Sequence, residues 1–452
     1  MEKRSNVTDF TEGNVAGKLV RFATPLFLSS LLQIVYNTVD MVIVGNKMGK
    51  VGLSAVSVGG DVLNFLTFVA MGFSNAGQVI IARMTGEGER QKIGRFIGTM
   101  FHFLTVLSVI AGTVCFILRE PILRIMHTPR ESFSEALGYA TVCMAGLLFI
   151  YGYNAMSAVL RGMGDSLRPF LFIGIASVVN VLLDLLFVMG LGMGGAGAAL
   201  GTVISQGLSF LGCAAYVIKN RERYGIELKT GEFLRPDGGM LGDLVKLGVP
   251  MAIKNASISF SKLFVNSWIN SYGVAVSAFA GVANKLASIA NLISNSFNAA
   301  GATMVGQNIG ARKFDRIKRI ILSVYGVTVT AAAVLSAAIL IFPRQIYGFF
   351  TSDGDVIDIG IRFLPIAVLL FFGSAARSGM NALINGSGNY KVNFATAILD
   401  GIVLRIGLAL LFGLAFNMRE TGFWLGDALA GYTPLWIGIV FYLGGWWKRG
   451  KE

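Results

Sequence analysis

Residues 168–190 read RPFLFIGIASVVNVLLDLLFVMG, a largely apolar run with Asn180 at its middle and Asp184 one turn later. An α-helix needs about 20 apolar residues to cross the hydrocarbon core of a bilayer. The run is continuous, whereas a strand of a membrane β-barrel alternates apolar and polar residues over about ten positions. It therefore predicts a membrane-spanning helix that carries polar groups at the depth of the lipid tails.

The rest of the chain repeats this pattern. Windows of the same kind cover residues 18–44, 54–81, 93–118, 136–160, 168–190, 195–218, 244–271, 275–306, 317–342, 360–385, 391–416 and 424–446. Only 14% of the residues are charged, against about 25% in soluble proteins. The longest stretch between windows, 219–243, is too short for a soluble domain. The sequence predicts an all-α membrane protein with twelve transmembrane helices.

The basic residues between the windows indicate the orientation. Lys and Arg are concentrated in the loops on the side of the N-terminus, with dense groups at 219–246 and 312–319. Such loops face the cytoplasm. We expect both termini to be cytoplasmic, in a multi-pass protein of the inner (cytoplasmic) membrane. The net charge of +13 is explained by this topology and indicates no nucleic-acid partner.

Several function classes lack their residues. His102 and His127 are far apart, with no metal-ligand spacing around them. Cys115, Cys143 and Cys213 are scattered through apolar runs and suggest no disulfide framework. No Gly-rich loop has the Walker spacing. Gly192-Met-Gly-Gly-Ala-Gly197 fits the dinucleotide pattern G-x-G-x-x-G, but it follows a membrane span instead of a strand, and a tight turn explains it. We therefore expect neither enzymatic activity nor a cofactor.

The two halves of the chain resemble each other. The pairs that match at a constant offset of 224 residues include Gly49/Gly273, Phe73/Phe297, Gly86/Gly310, Met156/Met380 and Gly164/Gly388. Each half holds six spans, and an even number gives both halves the same orientation. We predict an N-terminal bundle at 1–218, a cytoplasmic linker at 219–243 and a C-terminal bundle at 244–452. A pseudo-two-fold axis along the membrane normal would relate the two bundles.

Four motifs at these positions carry a family resemblance: Asp40-Met-Val-Ile-Val-Gly45, Leu160-Arg-Gly-Met-Gly164, Asn180 with Asp184, and Gly306-Gln-Asn-Ile-Gly310. Together they resemble the multidrug and toxic compound extrusion (MATE) family, in its DinF-like branch, over essentially the whole chain. The resemblance implies a secondary antiporter with alternating access. It would export small amphipathic, cationic drugs or toxic compounds in exchange for H⁺, which we favour, or Na⁺.

Polar groups on three separate spans fall at similar depth. At ~1.5 Å per residue, Asp40 lies about 6 Å, Asp184 about 9 Å and Thr202 about 10 Å from the outer ends of their spans. Two carboxylates that meet in a medium of low dielectric constant cannot both stay ionised and unpaired. Either one holds a proton, or the pair binds Na⁺ with neutral oxygens from Asn180 and Thr202.

The resemblance assigns roles to these residues. Asp40, Asn180, Asp184 and Thr202 match its ion-coupling site, where Asp40 and Asp184 could also hold Na⁺. Tyr36 and Tyr139 would be accessory hydroxyls, and Pro25 would be the bend of the first span. Simpler interpretations stay open: the tyrosines as interface aromatics, Thr202 as a threonine bonded to its own helix, and Pro25 as a static kink.

The second half has a different charge pattern. Its spans hold five bases, Lys254, Lys262, Lys285, Arg377 and Arg405, with Asp400 as the only clear acid. Lys254, Lys285 and Arg405 are the candidate partners of Asp400. These bases could compensate Asp400, or they could line a cavity and contact an anionic group. The second possibility supports an alternative function, a flippase or exporter of an anionic or lipid-linked precursor. Besides membrane lipids and substrate we expect no partner. The sequence carries no signal for the oligomeric state, and we favour a monomer.

Overall fold

The computed structural model describes residues 8–227, 231, 233 and 235–448. The predicted cytoplasmic termini therefore lie outside the described residues, as do positions 228–230, 232 and 234 of the predicted linker. All regular secondary structure in the described part of the chain is helical. This agrees with the fold class expected from the continuous apolar windows.

The long helices follow the predicted windows. They are α1 Val15–Glu87, α2 Arg90–Ile117, α3 Phe133–Ala145, α4 Leu147–Gly162, α5 Leu167–Gly190, α6 Gly194–Lys219, α7 Gly238–Asn270, α8 Val274–Gly310, α9 Asp315–Ile341, α10 Gly354–Gly386, α11 Tyr390–Ala415, α12 Arg419–Ala430 and α13 Thr433–Leu443. Short helices at Arg119–Ile125, Arg221–Tyr224 and Pro343–Gly348 lie in the connections.

These helices provide twelve membrane crossings. Helix α1 supplies two of them, because non-helical backbone at Gly49 breaks it. Helices α3 and α4 form one crossing with a 52° bend, and α12 with α13 covers the last predicted window. By length and apolar character alone, eight helices of the described part qualify as spans, or nine with the bent pair. The fold is an all-α membrane protein with twelve transmembrane helices in two six-helix bundles, as predicted.

Glycines at matched positions of the repeat make equivalent turns. Gly49 and Gly273 separate the first two crossings of each half, with φ of 58° and 123°. Gly164 and Gly388 end the fourth crossing of each half, with φ of 86° and 69°. Only glycine adopts positive φ without steric cost. The matched glycines thus mark corresponding chain reversals in the two halves.

The chain forms two units, and the second combines segments that are distant in sequence. The first contains Leu28–Gly248, and the second contains Phe10–Phe27 together with Val249–Glu452. The start of α1 therefore packs with the second unit, which differs from the predicted division at residue 218. The chain changes unit close to Pro25 and again close to Pro250, at equivalent points of the repeat.

Side chains of the second unit hold the N-terminal segment. Phe10 is fully buried in an apolar cluster with residues of α1, α8, α9 and α10. Its backbone N–H donates to Gln307 Oε1 at 3.2 Å, and its carbonyl accepts from Asn308 Nδ2 at 3.2 Å. Arg316 donates to the carbonyls of Phe10 and Glu12 at 3.3 and 3.1 Å. The Gly306–Gly310 motif thus anchors the chain that leads into α1.

Candidate functional site

Two carboxyl groups meet inside the first unit. Asp40 on α1 is 7% exposed, and Asp184 on α5 is fully buried. The two side chains are within hydrogen-bonding reach of each other. Neither oxygen of Asp184 has an N–H or O–H donor among the residues that the structure describes. Two carboxylates that meet in this way repel each other when both are ionised, so the pair is a candidate site for a proton or a cation.

Asn180 connects this pair to a third helix. It lies one turn before Asp184 on α5. In the amide orientation that satisfies both neighbours, its Nδ2 donates to Asp40 Oδ1 at 3.0 Å, and its Oδ1 accepts from the backbone N–H of Thr202 at 3.3 Å. A single amide therefore links α1, α5 and α6.

Thr202 joins the network through its backbone. Its hydroxyl donates to the carbonyl of Ala198 at 3.1 Å, one turn earlier in α6. That bond uses the only hydroxyl proton, while the oxygen keeps lone pairs that can still accept. The structure thus places Thr202 beside the pair, and its side chain bonds to its own helix.

The two predicted accessory tyrosines lie in the same unit. The Tyr36 hydroxyl is within hydrogen-bonding reach of the Gln206 side chain and lies near Asp40. Tyr139 is 7% exposed, contacts Cys143 and also lies near Asp40. Both phenols therefore belong to the surroundings of the carboxyl pair, where they can accept or donate a proton.

A small cavity of about 180 Å³ of open space adjoins the pair. It is lined by Tyr36, Ile173, Ala176, Ser177, Asn180, Thr202, Ser205 and Gln206. The sequence reasoning missed Ser177 and Gln206. Their spacing carries the signal, because Gln206 follows Thr202 by one helical turn on the same face of α6. Polar side chains that recur on one face of a membrane helix indicate a polar interior.

Two local features shape the position of Asp184. The backbone of α5 turns to π-helix at Leu185–Gly190, directly after Asp184. Such turns often occur at functional sites. On α6, a Cβ at Gly201 would overlap Asp184 Oδ1. The carboxyl occupies space that a glycine leaves free.

Replacement of Gly201 by Ala is therefore expected to displace the Asp184 carboxyl. We expect the rate of ion-driven export in vesicles to fall on the order of tenfold, since small misplacements of reacting groups carry large penalties. Gly207→Ala on the same helix is the matched control, because its nearest neighbour would be Phe149 at 3.5 Å, an ordinary contact. Equal export rates for the two variants would contradict this interpretation of Gly201.

Pro25 lies apart from the other predicted site residues. It is inside α1, whose backbone is helical on both sides of it and becomes non-helical only at Gly49. It belongs to the segment Phe10–Phe27 of the second unit, whereas Asp40 belongs to the first. The structure therefore does not bring Pro25 together with the carboxyl pair.

A buried ion cluster lies in the second unit. Arg405 on α11 is 1% exposed, and its Nη2 donates to Asp400 Oδ1 at 2.9 Å. Its Nη1 pairs with Asp427 Oδ1 on α12. The expectation that Asp400 is the only acid of these spans was wrong, because Asp427 is also embedded. It was overlooked since α12 begins at Arg419, before the predicted window at 424, so Asp427 lies deeper than a helix end.

The other two basic residues singled out from the sequence differ in position. Lys254 is 9% exposed and donates to Asn381 Oδ1 at 2.7 Å. Lys285 is exposed on α8. Of the partners considered for Asp400, the structure thus selects Arg405 for the direct ion pair.

A larger cavity, with about 670 Å³ of open space, lies in the second unit. Its lining residues are Lys262, Val265, Asn266, Ile269, Ala283, Asn284, Ala287, Asn291, Phe363, Leu370, Gly373, Arg377, Arg405, Trp424, Asp427 and Ala428. They include three basic side chains and one acidic side chain, among apolar and amide groups. We call this the second-unit cavity.

Comparison with known proteins agrees with the internal repeat. The MatE family model matches the chain twice, at residues 25–186 and 250–411. The two matches begin at Pro25 and Pro250, the positions close to which the chain changes unit. Together they cover most of the chain.

The chain is also similar to whole proteins over its full length. It is 30% identical over 444 residues to the probable multidrug resistance protein YpnP of Bacillus subtilis, covering 98% of each chain. A MOP superfamily transporter from Pyrococcus furiosus, described as having a binding pocket of reverse polarity, superposes with a TM-score of 0.90 at 22% identity and 100% coverage of both chains. A MATE crystal structure in the bent conformation gives 0.86 at 24% identity and 96% coverage of both. With the double family match, the chain belongs to the MatE family of multidrug and toxic compound extrusion transporters.

Proposed function

We propose that this protein is a secondary antiporter that exports amphipathic compounds in exchange for protons that bind at Asp40 and Asp184. The observation that carries the proposal is the buried carboxyl pair, in which Asp184 has no donor among the described residues. A site of this kind is stable with one proton and repulsive without it. Its charge state can therefore drive a rearrangement of the helices that carry it.

One continuous helix can transmit that rearrangement from one unit to the other. Helix α1 carries Asp40 in the first unit and continues backwards into Phe10–Phe27 of the second unit. Protonation removes the repulsion between α1 and α5, and deprotonation restores it. A shift of α1 at Asp40 is thus passed along one helix to residues that pack in the other unit.

We favour H⁺ over Na⁺ as the coupling ion, because a proton shared between two carboxyls needs no further ligand. Na⁺, like other hard cations, requires several oxygen ligands. Asn180 fits either ion. Its Nδ2 donates to Asp40 Oδ1 in the orientation that satisfies the pair alone, and the opposite orientation would offer its Oδ1 to Na⁺.

The proposal includes the location and the oligomeric state of the protein. We propose a multi-pass protein of the cytoplasmic membrane, with lipids around it and both termini in the cytoplasm, as the distribution of Lys and Arg favours. We propose that it works as a monomer, since each unit contains its own site residues.

Reconstituted vesicles test the proposed coupling. We would impose a pH gradient and, separately, a Na⁺ gradient, and follow the movement of ethidium, the amphipathic cationic dye expected from the resemblance. We expect movement under the pH gradient. Movement driven only by Na⁺ would replace the proton by Na⁺ at the same pair. A lack of movement for ethidium and for an anionic amphipathic dye under both gradients would overturn the antiporter.

A second candidate function is the export or flipping of an anionic or lipid-linked precursor. The basic second-unit cavity favours it, and the reverse pocket polarity described for the Pyrococcus furiosus transporter suggests that such a departure can occur on this fold. The designation of YpnP of Bacillus subtilis as a probable multidrug resistance protein favours drug export. Vesicles with a fluorescent lipid-linked pyrophosphate in one leaflet would separate the two, since a flippase exposes that lipid to an external quencher.

A further inference from the structure

We propose that the second-unit cavity binds the anionic group, a carboxylate or a phosphate, of an amphipathic molecule. This inference deepens the proposed transport function by naming the chemical class of the substrate. It departs from the cationic preference that the family resemblance implies. Three features of the cavity support it. Lys262 and Arg377 have no carboxylate within 4 Å, Asp427 is already bound to Arg405, and the remaining walls are apolar.

Two basic side chains of the cavity have no carboxylate partner. Lys262 forms no hydrogen bond or ion pair within 4 Å among the residues that the structure describes. The acid that attracts it most is Asp427, which is already paired with Arg405. Arg377 makes one long hydrogen bond, from Nη2 to Asn291 Oδ1 at 3.4 Å, and no ion pair within the described part of the chain. Charged groups inside a membrane protein pair with one another or face a polar cavity. Lys262 and Arg377 line the same cavity, so one anion bound there would form an ion pair with both.

The acid of the cavity is not free for a cationic ligand. Asp427 is bound to Arg405, and that guanidinium also binds Asp400. A cation would have to displace Arg405 from a buried pair, which leaves the guanidinium with an unpaired contact at low dielectric constant. An anion meets no such obstacle, because Lys262 and Arg377 are available.

The guanidinium of Arg377 has a free edge. Its Nε is buried and has no acceptor among the described residues. Its neighbour Asn291 is already occupied, since Asn291 Oδ1 also accepts from Ser374 Oγ at 2.9 Å. An Nε–H together with an adjacent Nη–H forms the planar fork to which a carboxylate or a phosphate binds through two oxygens.

The remaining walls suit an apolar body. Phe363 and Trp424 meet edge to face at 5.1 Å between ring centres, and both line the cavity with Val265, Ile269 and Leu370. A ligand with one anionic group on an aromatic or aliphatic frame satisfies both the walls and the cations.

Calorimetric titration of the full-length protein in nanodiscs of phosphatidylcholine tests the proposal. The probe is naproxen, an aromatic monocarboxylate, and its uncharged amide is the matched ligand. We expect naproxen to bind at least about tenfold more tightly than the amide. Arg377→Gln and Lys262→Gln should each weaken naproxen binding by a similar factor and leave the amide unaffected. Arg377→Lys should retain part of the affinity, since it keeps the charge and loses the fork.

Lys285→Gln is the matched control, because it removes the same charge from an exposed position on α8 outside the cavity. Equal affinities of naproxen for wild type, Arg377→Gln and Lys262→Gln would overturn the proposal. So would an affinity for the amide equal to that for naproxen. The titration needs no ion gradient, so its outcome is independent of whether Asp40 and Asp184 couple transport to protons.

A lipid headgroup could supply the same anionic chemistry. Titration in nanodiscs that contain phosphatidylglycerol distinguishes the sources. Unchanged naproxen affinity supports a site for a free amphipathic anion. Competition by phosphatidylglycerol that is lost in Arg377→Gln supports the anion site and assigns it to a lipid phosphate. Competition that persists in Arg377→Gln would contradict the site.

Discussion

Asp184→Asn is expected to abolish proton-driven export, with a loss of more than ~100-fold in the rate under a pH gradient. The side chain is fully buried, its oxygens have no donor within the described residues, and we propose that it shares a proton with Asp40. Asparagine has nearly the same shape but cannot take up or release that proton. Asp40→Asn should have the same effect, because the proton belongs to the pair.

Two measurements separate coupling from folding. Asp358→Asn is the matched control, since Asp358 is exposed and forms only a loose pair with Arg344 at 3.7 Å. Exchange of labelled for unlabelled substrate without a gradient should persist in Asp184→Asn if the protein is folded. Gradient-driven export by Asp184→Asn or Asp40→Asn at the wild-type rate would show that the pair is not the coupling site.

Arg405→Met is expected to cause the largest loss of stability of any single change in the second unit. It leaves Asp400 and Asp427 facing each other, both embedded and without their shared partner. Removal of one member of a buried ion cluster costs about 3–5 kcal/mol. The midpoint of thermal unfolding in detergent, followed by tryptophan fluorescence, should fall on the order of 5–10 °C.

Compensating changes provide the control for this prediction. The combination of Arg405→Met with Asp400→Leu and Asp427→Asn should recover most of the lost stability, because none of the three members of the ion cluster then carries a charge. Arg344→Met breaks an exposed pair at 3.7 Å and should change the stability by less than about 1 kcal/mol. If Arg405→Met unfolds at the same temperature as Arg344→Met, the cluster is not a stabilising element.

The sequence was sufficient for the twelve spans and the repeat, because the bilayer imposes an apolar composition that short windows reveal. It also indicated Asp40, Asn180 and Asp184, since polar groups inside a span stand out against their surroundings. Asp427 was overlooked because its depth in the membrane depends on where α12 begins. Local hydropathy carries no information on such tertiary positions.

The packing of Phe10–Phe27 in the second unit also could not be predicted from the sequence. It depends on hydrogen bonds between residues about 300 positions apart, such as Phe10 to Gln307. Gln307 and Asn308 were noted for a family motif, and only the structure shows that they hold a backbone segment. Gln206 had a visible signal in its helical spacing from Thr202, which the sequence reasoning did not use.

The position of Phe10–Phe27 also has a consequence for biogenesis. This segment is synthesised about 300 residues before Gln307, Asn308 and Arg316, which bind it. At roughly 5–20 residues per second, the interval is about 15–60 s. During that time the beginning of α1 is in the membrane without its final neighbours. Phe10–Phe27 therefore gains its final neighbours only when the second unit is complete. A nascent protein interrupted after the first half lacks the residues against which this segment packs.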